Sequence, residues 1–219
     1  MFLRRFRLSD RHRFSVLAPA DAGAFFMPWK GKMMATGVNA VHVANPATAT
    51  GGVTRAPIGS TLPTDATTAL DAAFEKLGYV SEDGVTKTVD ASDDKIKAWG
   101  GDTVRVVRSD HSVSYTLTFM ESGNPVLLKA IYGEDNVIVS GGKIEVRTTS
   151  QMPVRAAFTL EMLDGETAIR EVIPNGQLTQ SGDVPFVHSG VIQYEVTIEA
   201  LPNDAGVKSY SYIEDTAAA

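Results

Sequence analysis

The sequence predicts a mainly β fold, an antiparallel β-sandwich or open barrel with a flanking α-helix. Three observations predict it. Apolar and polar residues alternate with period two at 112–121, 154–163 and 191–201, as in strands that bury one face. Clusters of Gly, Pro, Asn and Asp separate these runs at short intervals, as in an all-β domain. Only two stretches carry helical spacing, and both are short.

Residues 1–33 hold seven cations (Arg4, Arg5, Arg7, Arg11, Arg13, Lys30, Lys32) against Asp10 and Asp21, about +5 within a chain of net charge −6. They show no period and no long apolar run, so they read as disordered or as an extension from a start upstream of Met33-Met34. A chain beginning at Met34 is expected to fold. Residues 34–63 are Ala, Thr, Gly, Val and Pro without period, broken by Asn45-Pro46, Gly51-Gly52 and Leu62-Pro63. They read as an extended N-terminal arm.

Thr64 or Asp65 is placed to cap a helix whose Leu70, Ala73, Phe74 and Leu77 share one face, with Gly78 ending it. Tyr79–Gly84 reads as a turn, Val85–Val89 as a short strand and Asp90–Lys97 as a polar loop. Strand Thr103–Arg108 and a turn at Ser109-Asp110 follow. The next strand, Ser112–Glu121, puts Val113, Tyr115, Leu117 and Phe119 on one face. Asn124 caps a second helix, with Pro125 at its first position and Gly133 at its end. Asn136–Ser140 and Lys143–Thr149 form a hairpin around Gly141-Gly142. Val154–Leu163 points Ala156, Phe158, Leu160 and Met162 inward. Ala168–Ile173 ends at Pro174-Asn175-Gly176, and Leu178-Thr179 extends a loop. In Val191–Leu201, Ile192, Tyr194, Val196 and Ile198 share one face. The domain then spans 64–202, and 203–219 reads as a flexible tail.

Composition excludes several functions. The chain has 219 residues and is 43% hydrophobic, enough for one substantial core. It has no cysteine, which removes disulfides and thiolate chemistry. No apolar run approaches the ~20 residues of a membrane span. An acidic balance argues against coating DNA, which requires clustered Lys and Arg. His12, His42, His111 and His188 are far apart and match no metal spacing. Asp93-Asp94, Glu134-Asp135 and Asp164 sit where turns are expected, and turns favour Asp for its bonds to local backbone. Gly141-Gly142-Lys143 lacks the remainder of a phosphate loop, and no nucleophile elbow or zinc motif occurs. Trp99 reads as a packing anchor, and with Tyr79 and Tyr132 it is the one candidate for a ligand platform.

Several segments, in order, resemble one family. They are Ala56-Pro-Ile-Gly-Ser-Thr-Leu-Pro-Thr-Asp65, Leu77-Gly-Tyr-Val-Ser-Glu-Asp-Gly84-Val85 and Ile96-Lys-Ala-Trp-Gly100. Phe119-Met-Glu-Ser and Ala130-Ile-Tyr-Gly133 before Asn136-Val137 complete the series. Between about Met34 and about Leu201 the chain resembles the major tail, or tail tube, proteins of long-tailed double-stranded-DNA bacteriophages, particularly those of actinobacterial hosts. The resemblance implies a fold like the tube protein of type VI secretion systems. It also implies hexameric rings whose inner sheets join in one barrel and stack into a tube. The implied partners are further copies of the chain, a tape-measure protein, and tail terminator and tip proteins. Double-stranded DNA passes through without specific binding, no membrane is involved, and no catalytic residue or cofactor is implied. Two other classes compete: a monomeric β-sandwich binding or adhesive module, and a capsid decoration or head–tail joining protein.

If the alternating strands form the inner sheet of such a tube, the face opposite the core lines the channel. Its residues are Ser114, Thr116, Thr118, Thr159, Glu161, Gln193, Glu195, Thr197 and Glu199. That wall would be small and acidic, offering phosphates nothing to bind.

Overall fold

The computed structural model describes residues 40–50 and 52–216. The chain runs β1 (Asn45–Pro46), β2 (Val53–Pro57), β3 (Glu75–Lys76), β4 (Val80–Lys97) and β5 (Thr103–Phe119) before its helix, α1 (Pro125–Tyr132). A 3-10 turn (Glu134–Asn136) leads to β6 (Val137–Ser140), β7 (Lys143–Val146), β8 (Ala156–Asp164) and β9 (Thr167–Gln180), then to β10 (Tyr194–Ala200) and β11 (Tyr210–Asp215). Nine strands form one antiparallel sheet in the order β3-β2-β8-β9-β10-β5-β4, with β1 added to β8 and β11 to β9, while β6 and β7 pair separately. Among the described residues the fold is mainly β, as the alternation predicts, with one α-helix.

The sheet is an open barrel. Its two ends approach each other through residues 77–79, where Leu77 N–H donates to Val53 O (3.0 Å) and Met120 N–H to Tyr79 O (3.0 Å). Gly78 is obligatory there. Its φ of 100° suits glycine, and a Cβ would stand 2.4 Å from the Glu121 carboxyl carbon. That carboxylate accepts from Tyr79 N–H and Asn124 Nδ2.

Helix α1 adds its apolar face to the core of the sheet. Asn124 Oδ1 accepts from Val126 N–H (2.9 Å), Pro125 occupies the first turn, and Gly133 ends the helix at φ 98°. The helix buries Leu127, Leu128, Ala130 and Ile131 in the same core as Tyr115, Leu117, Phe119, Phe158, Val196 and Ile198 of the sheet. Each large side chain so buried stabilises the fold by about 1.5–3 kcal/mol. The residues expected to form the core from β5, β8 and β10 are therefore in it, with Ile192 half-buried at its edge, except Met162, which is half-buried outside the core where β8 runs on beyond it.

Five local expectations are corrected. No helix spans 65–77. Asp65 bonds the Thr67 and Thr68 amides and the Thr68 hydroxyl, and Asp71 bonds the Ala73 amide, so both carboxylates close turns that compete with a helix. The turn expected at 79–84 is a bulge near the start of β4, where residues 81–84 have no partner between the Val80–Phe119 and Val85–Leu117 pairs, and the polar loop at 90–97 is part of this 18-residue strand (Val80–Lys97), paired with β5. The turn expected at Ser109-Asp110 is a bulge. Asp93 pairs with Arg108 and Ser92 with Asp110, and the extra residue, Ser109, donates its hydroxyl to Ser92 O. Likewise Pro174-Asn175 bulges within β9, which continues to Gln180.

The terminal segments are also more ordered than their composition suggests. In the stretch read as an arm, β2 pairs with β8 and buries Val53, Thr54 and Ala56, and β1 pairs with β8 farther along. In the stretch read as a tail, Asn203 Oδ1 closes a turn on the Ala205 and Val207 amides, after which β11 lies along Thr167–Val172 of β9. Residues 1–39, including the basic head, lie outside the described residues.

Candidate functional site

A sheet strand presents alternate residues to opposite faces, so the register fixes what the outer face displays. Glu195 stands opposite Thr118, Thr197 opposite Thr116 and Glu199 opposite Ser114. The same face continues onto β9 through Thr179 and Gln177, and onto β4 through Thr86 and Thr88. It extends along the β4–β5 hairpin through Asp90, Ser92 and Asp110. Four strands, β9-β10-β5-β4, thus share a surface backed by core at β9, β10 and residues 113–119 of β5, whereas the rest of the β4–β5 hairpin is exposed on both faces. Its residues are exposed or half-buried, and none of those named is Lys or Arg. The hydroxyls bond one another where they meet, Thr116 Oγ1 lying 3.4 Å from Thr197 Oγ1.

Six residues expected on the channel wall are therefore together: Ser114, Thr116, Thr118, Glu195, Thr197 and Glu199. Gln193 lies just before β10, half-buried. Thr159 and Glu161 are separated from them. Thr159 is fully buried, its hydroxyl 2.6 Å from that of Thr54. Glu161 accepts from Arg170 Nε (3.0 Å), and Arg170 Nη1 donates to Asp65 O (2.9 Å) and Thr68 O (2.8 Å). The 65–68 turn thus covers the outer face at β8 and the first half of β9. Single-strand alternation locates a face but does not reveal a loop folded over part of it. Thr86, Thr88, Gln177 and Thr179 were missed for a related reason, since their strands were read as shorter or as loops.

The edges of this four-stranded layer are as informative as its face. Beyond β4 no strand follows among the described residues, and β8 ends its pairing with β9 at Gly176, leaving 177–180 without a strand partner on that side, where Gln177 Nε2 donates to Pro153 O. Two other polar clusters are structural. Glu134 pairs with Arg55 (2.8 Å) and Lys129 (3.3 Å). Burial pushes its carboxyl up, but those two cations outweigh it and hold it below the usual range. Glu171 accepts from Lys87 (3.0 Å) and Tyr115 Oη (2.9 Å), and burial holds the Tyr115 phenol above its ordinary value. Among the described residues no group of three or more His, Asp or Glu is arranged to hold a metal. The aromatic platform is not assembled, because Trp99 is fully exposed at the hairpin tip while Tyr132 packs edge-on against Tyr194.

The family model described as phage tail tube protein matches residues 34–219. The chain belongs to that family. It is accordingly a structural component of the virion tail. No curated protein sequence matches it. Among solved structures, this tail tube chain is similar to the tube-terminating cap of the anti-feeding prophage. The identity is 8% over 80% of this chain and 95% of the other, with a TM-score of 0.40. It is also similar to a chain of the sheath–tube complex of an extracellular contractile injection system, PVC, in its extended state. There the identity is 12% over 62% of this chain and 86% of the other, with a TM-score of 0.35. No helix among the described residues of this tail tube chain is long and apolar enough to cross a membrane.

Proposed function

We propose that the chain, without catalysing a reaction, assembles into hexameric rings that stack as the conduit for double-stranded DNA leaving the capsid. The tape-measure, terminator and tip proteins would be its partners in the tail. The observation that carries the reading is the four-stranded layer, backed by core at β9, β10 and the second half of β5, with an exposed acidic face on the other side and no strand partner at either edge among the described residues. Its strands alternate in direction, so β4 of one copy and the 177–180 edge of β9 in the next run antiparallel. An even number of strands per copy lets that alternation continue around a closed ring. Contact between two different edges is the heterologous kind that closes under rotation.

The dimensions suit a conduit. Twenty-four strands at about 4.8 Å spacing give a circumference near 115 Å and a backbone-to-backbone bore of roughly 37 Å, wider if the strands tilt. The outer polar face then becomes the wall, and Glu195 and Glu199 present negative charge to a polyanion. Attraction between wall and phosphates would stall passage, and mild repulsion prevents it.

The test has two parts. Negative-stain images of concentrated protein are expected to show rings with an open bore, and compact monomers only would end the proposal. In phage carrying Glu195→Lys with Glu199→Lys, tails are expected to assemble but eject DNA more slowly, most of all at low salt where screening is weakest. Ejection at the normal rate at low ionic strength would show that neither residue faces the channel.

A further inference from the structure

The β4–β5 hairpin carries two features that this account leaves unused. Its tip is apolar and exposed: Trp99 is entirely in solvent, and Ile96, Val104 and Val106 are more than half so or nearly so. At its foot is a cavity of about 440 Å³, whose walls include Val53, Val80, Val85, Leu160 and Met162. Ser81 also lines this cavity, and its buried hydroxyl has no hydrogen-bond partner.

We propose that Trp99 of one copy seats in the cavity at the hairpin foot of a second copy. The two are complementary on three counts. The indole would bury on the order of 200 Å² against aliphatic walls. A buried indole N–H needs an acceptor, and the Ser81 hydroxyl is a buried acceptor without a donor. The tip is basic, with Lys95, Lys97 and Arg105 against Asp102 while Arg108 pairs with Asp93, whereas Glu82 lines the cavity with the exposed Asp83 next to it in sequence.

The contact must lie between copies. Pairing of β4 with β5 is kept up to Lys97 opposite Thr103, so the hairpin does not fold back. Val85 at the cavity and Trp99 at the tip are fourteen residues apart in sequence, roughly 45 Å along a strand. Tip and foot are different surfaces, so the contact is head to tail and repeats without closing on a pair. Edge pairing sets neighbours side by side across the strands. A contact displaced along them reaches a copy above or below, and this assignment to successive rings rests on the tube reading.

The chain has no cysteine, so an introduced pair reports only itself. Gly100 has open space where a Cβ would stand, and Ala49 lines the cavity. Full-length protein with Gly100→Cys and Ala49→Cys is expected to form a ladder of covalent multimers on mild oxidation. Trp99→Ala is expected to leave rings that do not stack, raising the concentration for half-assembly roughly thirtyfold or more, as loss of a central aromatic anchor does. Ser81→Ala should weaken stacking several-fold, and Ala49→Phe should block it from the cavity side. Tubes of normal length from Trp99→Ala, or no ladder from the cysteine pair while wild-type tubes form, overturn the proposal. A wild type that makes no rings overturns the tube reading alone, because head-to-tail cross-linking needs no ring.

Discussion

Replacing Arg170 by Met should be among the most damaging single changes in the chain. Arg170 is 4% exposed. Its guanidinium gives Nε and Nη2 to Glu161 and Nη1 to the carbonyls of Asp65 and Thr68. Methionine fills similar space but donates nothing, so two carbonyls and a carboxylate lose their donors together. Breaking a buried pair from one side costs about 3–5 kcal/mol. Glu161 and Asp65 keep 23% and 32% of their side chains in solvent, so water recovers part of the loss and about 3 kcal/mol is expected. At about 2–4 °C per kcal/mol for a chain of this size, the melting temperature should fall by roughly 10 °C. Circular dichroism below the assembly concentration measures that, and hydrogen exchange should show the 65–70 amides opening first. Arg170→Lys, a point donor in place of a fork, should fall between the two. A melting temperature within about 3 °C of wild type, with protection at 65–70 unchanged, would refute the argument that this residue fastens the turn to the sheet.

Two further predictions concern the isolated chain. Gly176→Ala should cost about 1–3 kcal/mol, because a Cβ there would stand 2.7 Å from Phe158 Cδ2 and 2.9 Å from Ile198 Cγ2. A loss under about 0.5 kcal/mol by urea titration would mean the core yields. Acid should destabilise the fold through Asp65 and Glu134. The Thr68 hydroxyl and amide hold the Asp65 carboxyl below the usual aspartate range, and, against the upward push of burial, Arg55 and Lys129 hold Glu134 below the usual glutamate range. Groups depressed in the folded state stabilise it above their unfolded values and lose that contribution as pH falls through the folded ones. The urea midpoint should therefore be level above about pH 5.5 and decline below about 4.5. Asp65→Asn should flatten part of that decline, and an unchanged acid limb would remove Asp65 from the account.

What was legible in the sequence follows the range of the interactions involved. Asn124-Pro125 and Gly133 specify α1 within a dozen residues, and Gly141-Gly142 specifies the β6–β7 turn, so both were readable locally. The alternation of β5 and β10 marked which side faces the core. The long hairpin was not readable, because Asp90, Ser92, Asp93 and Asp94 have poor strand propensity and are extended only through pairing with β5. Similarly, Pro174-Asn175-Gly176 is a stop signal in isolation, yet a bulge accommodates it. Of the candidate wall, Thr159 and Glu161 were misplaced because their cover comes from about a hundred residues earlier in the chain. The tip was misjudged for a simpler reason: Trp is usually buried, and Trp99 is not.

The hairpin raises a difficulty that its charges resolve. An 18-residue strand with one unpaired side is a template for indiscriminate pairing, and an exposed tryptophan adds to the hazard. Along β4, Glu82, Asp83, Lys87, Asp90, Asp93, Asp94, Lys95 and Lys97 interrupt nearly every apolar pair. Two β4 edges brought together antiparallel in most registers would set acid against acid or leave lysines without partners, which disfavours the symmetric pairing of like edges. The 177–180 edge, Gln-Leu-Thr-Gln, carries no charge and meets β4 without that penalty. The same residues that make β4 look like a loop would thus keep free copies apart and leave the edge of β9 as its preferred partner, which is the choice a ring requires and an irregular aggregate does not.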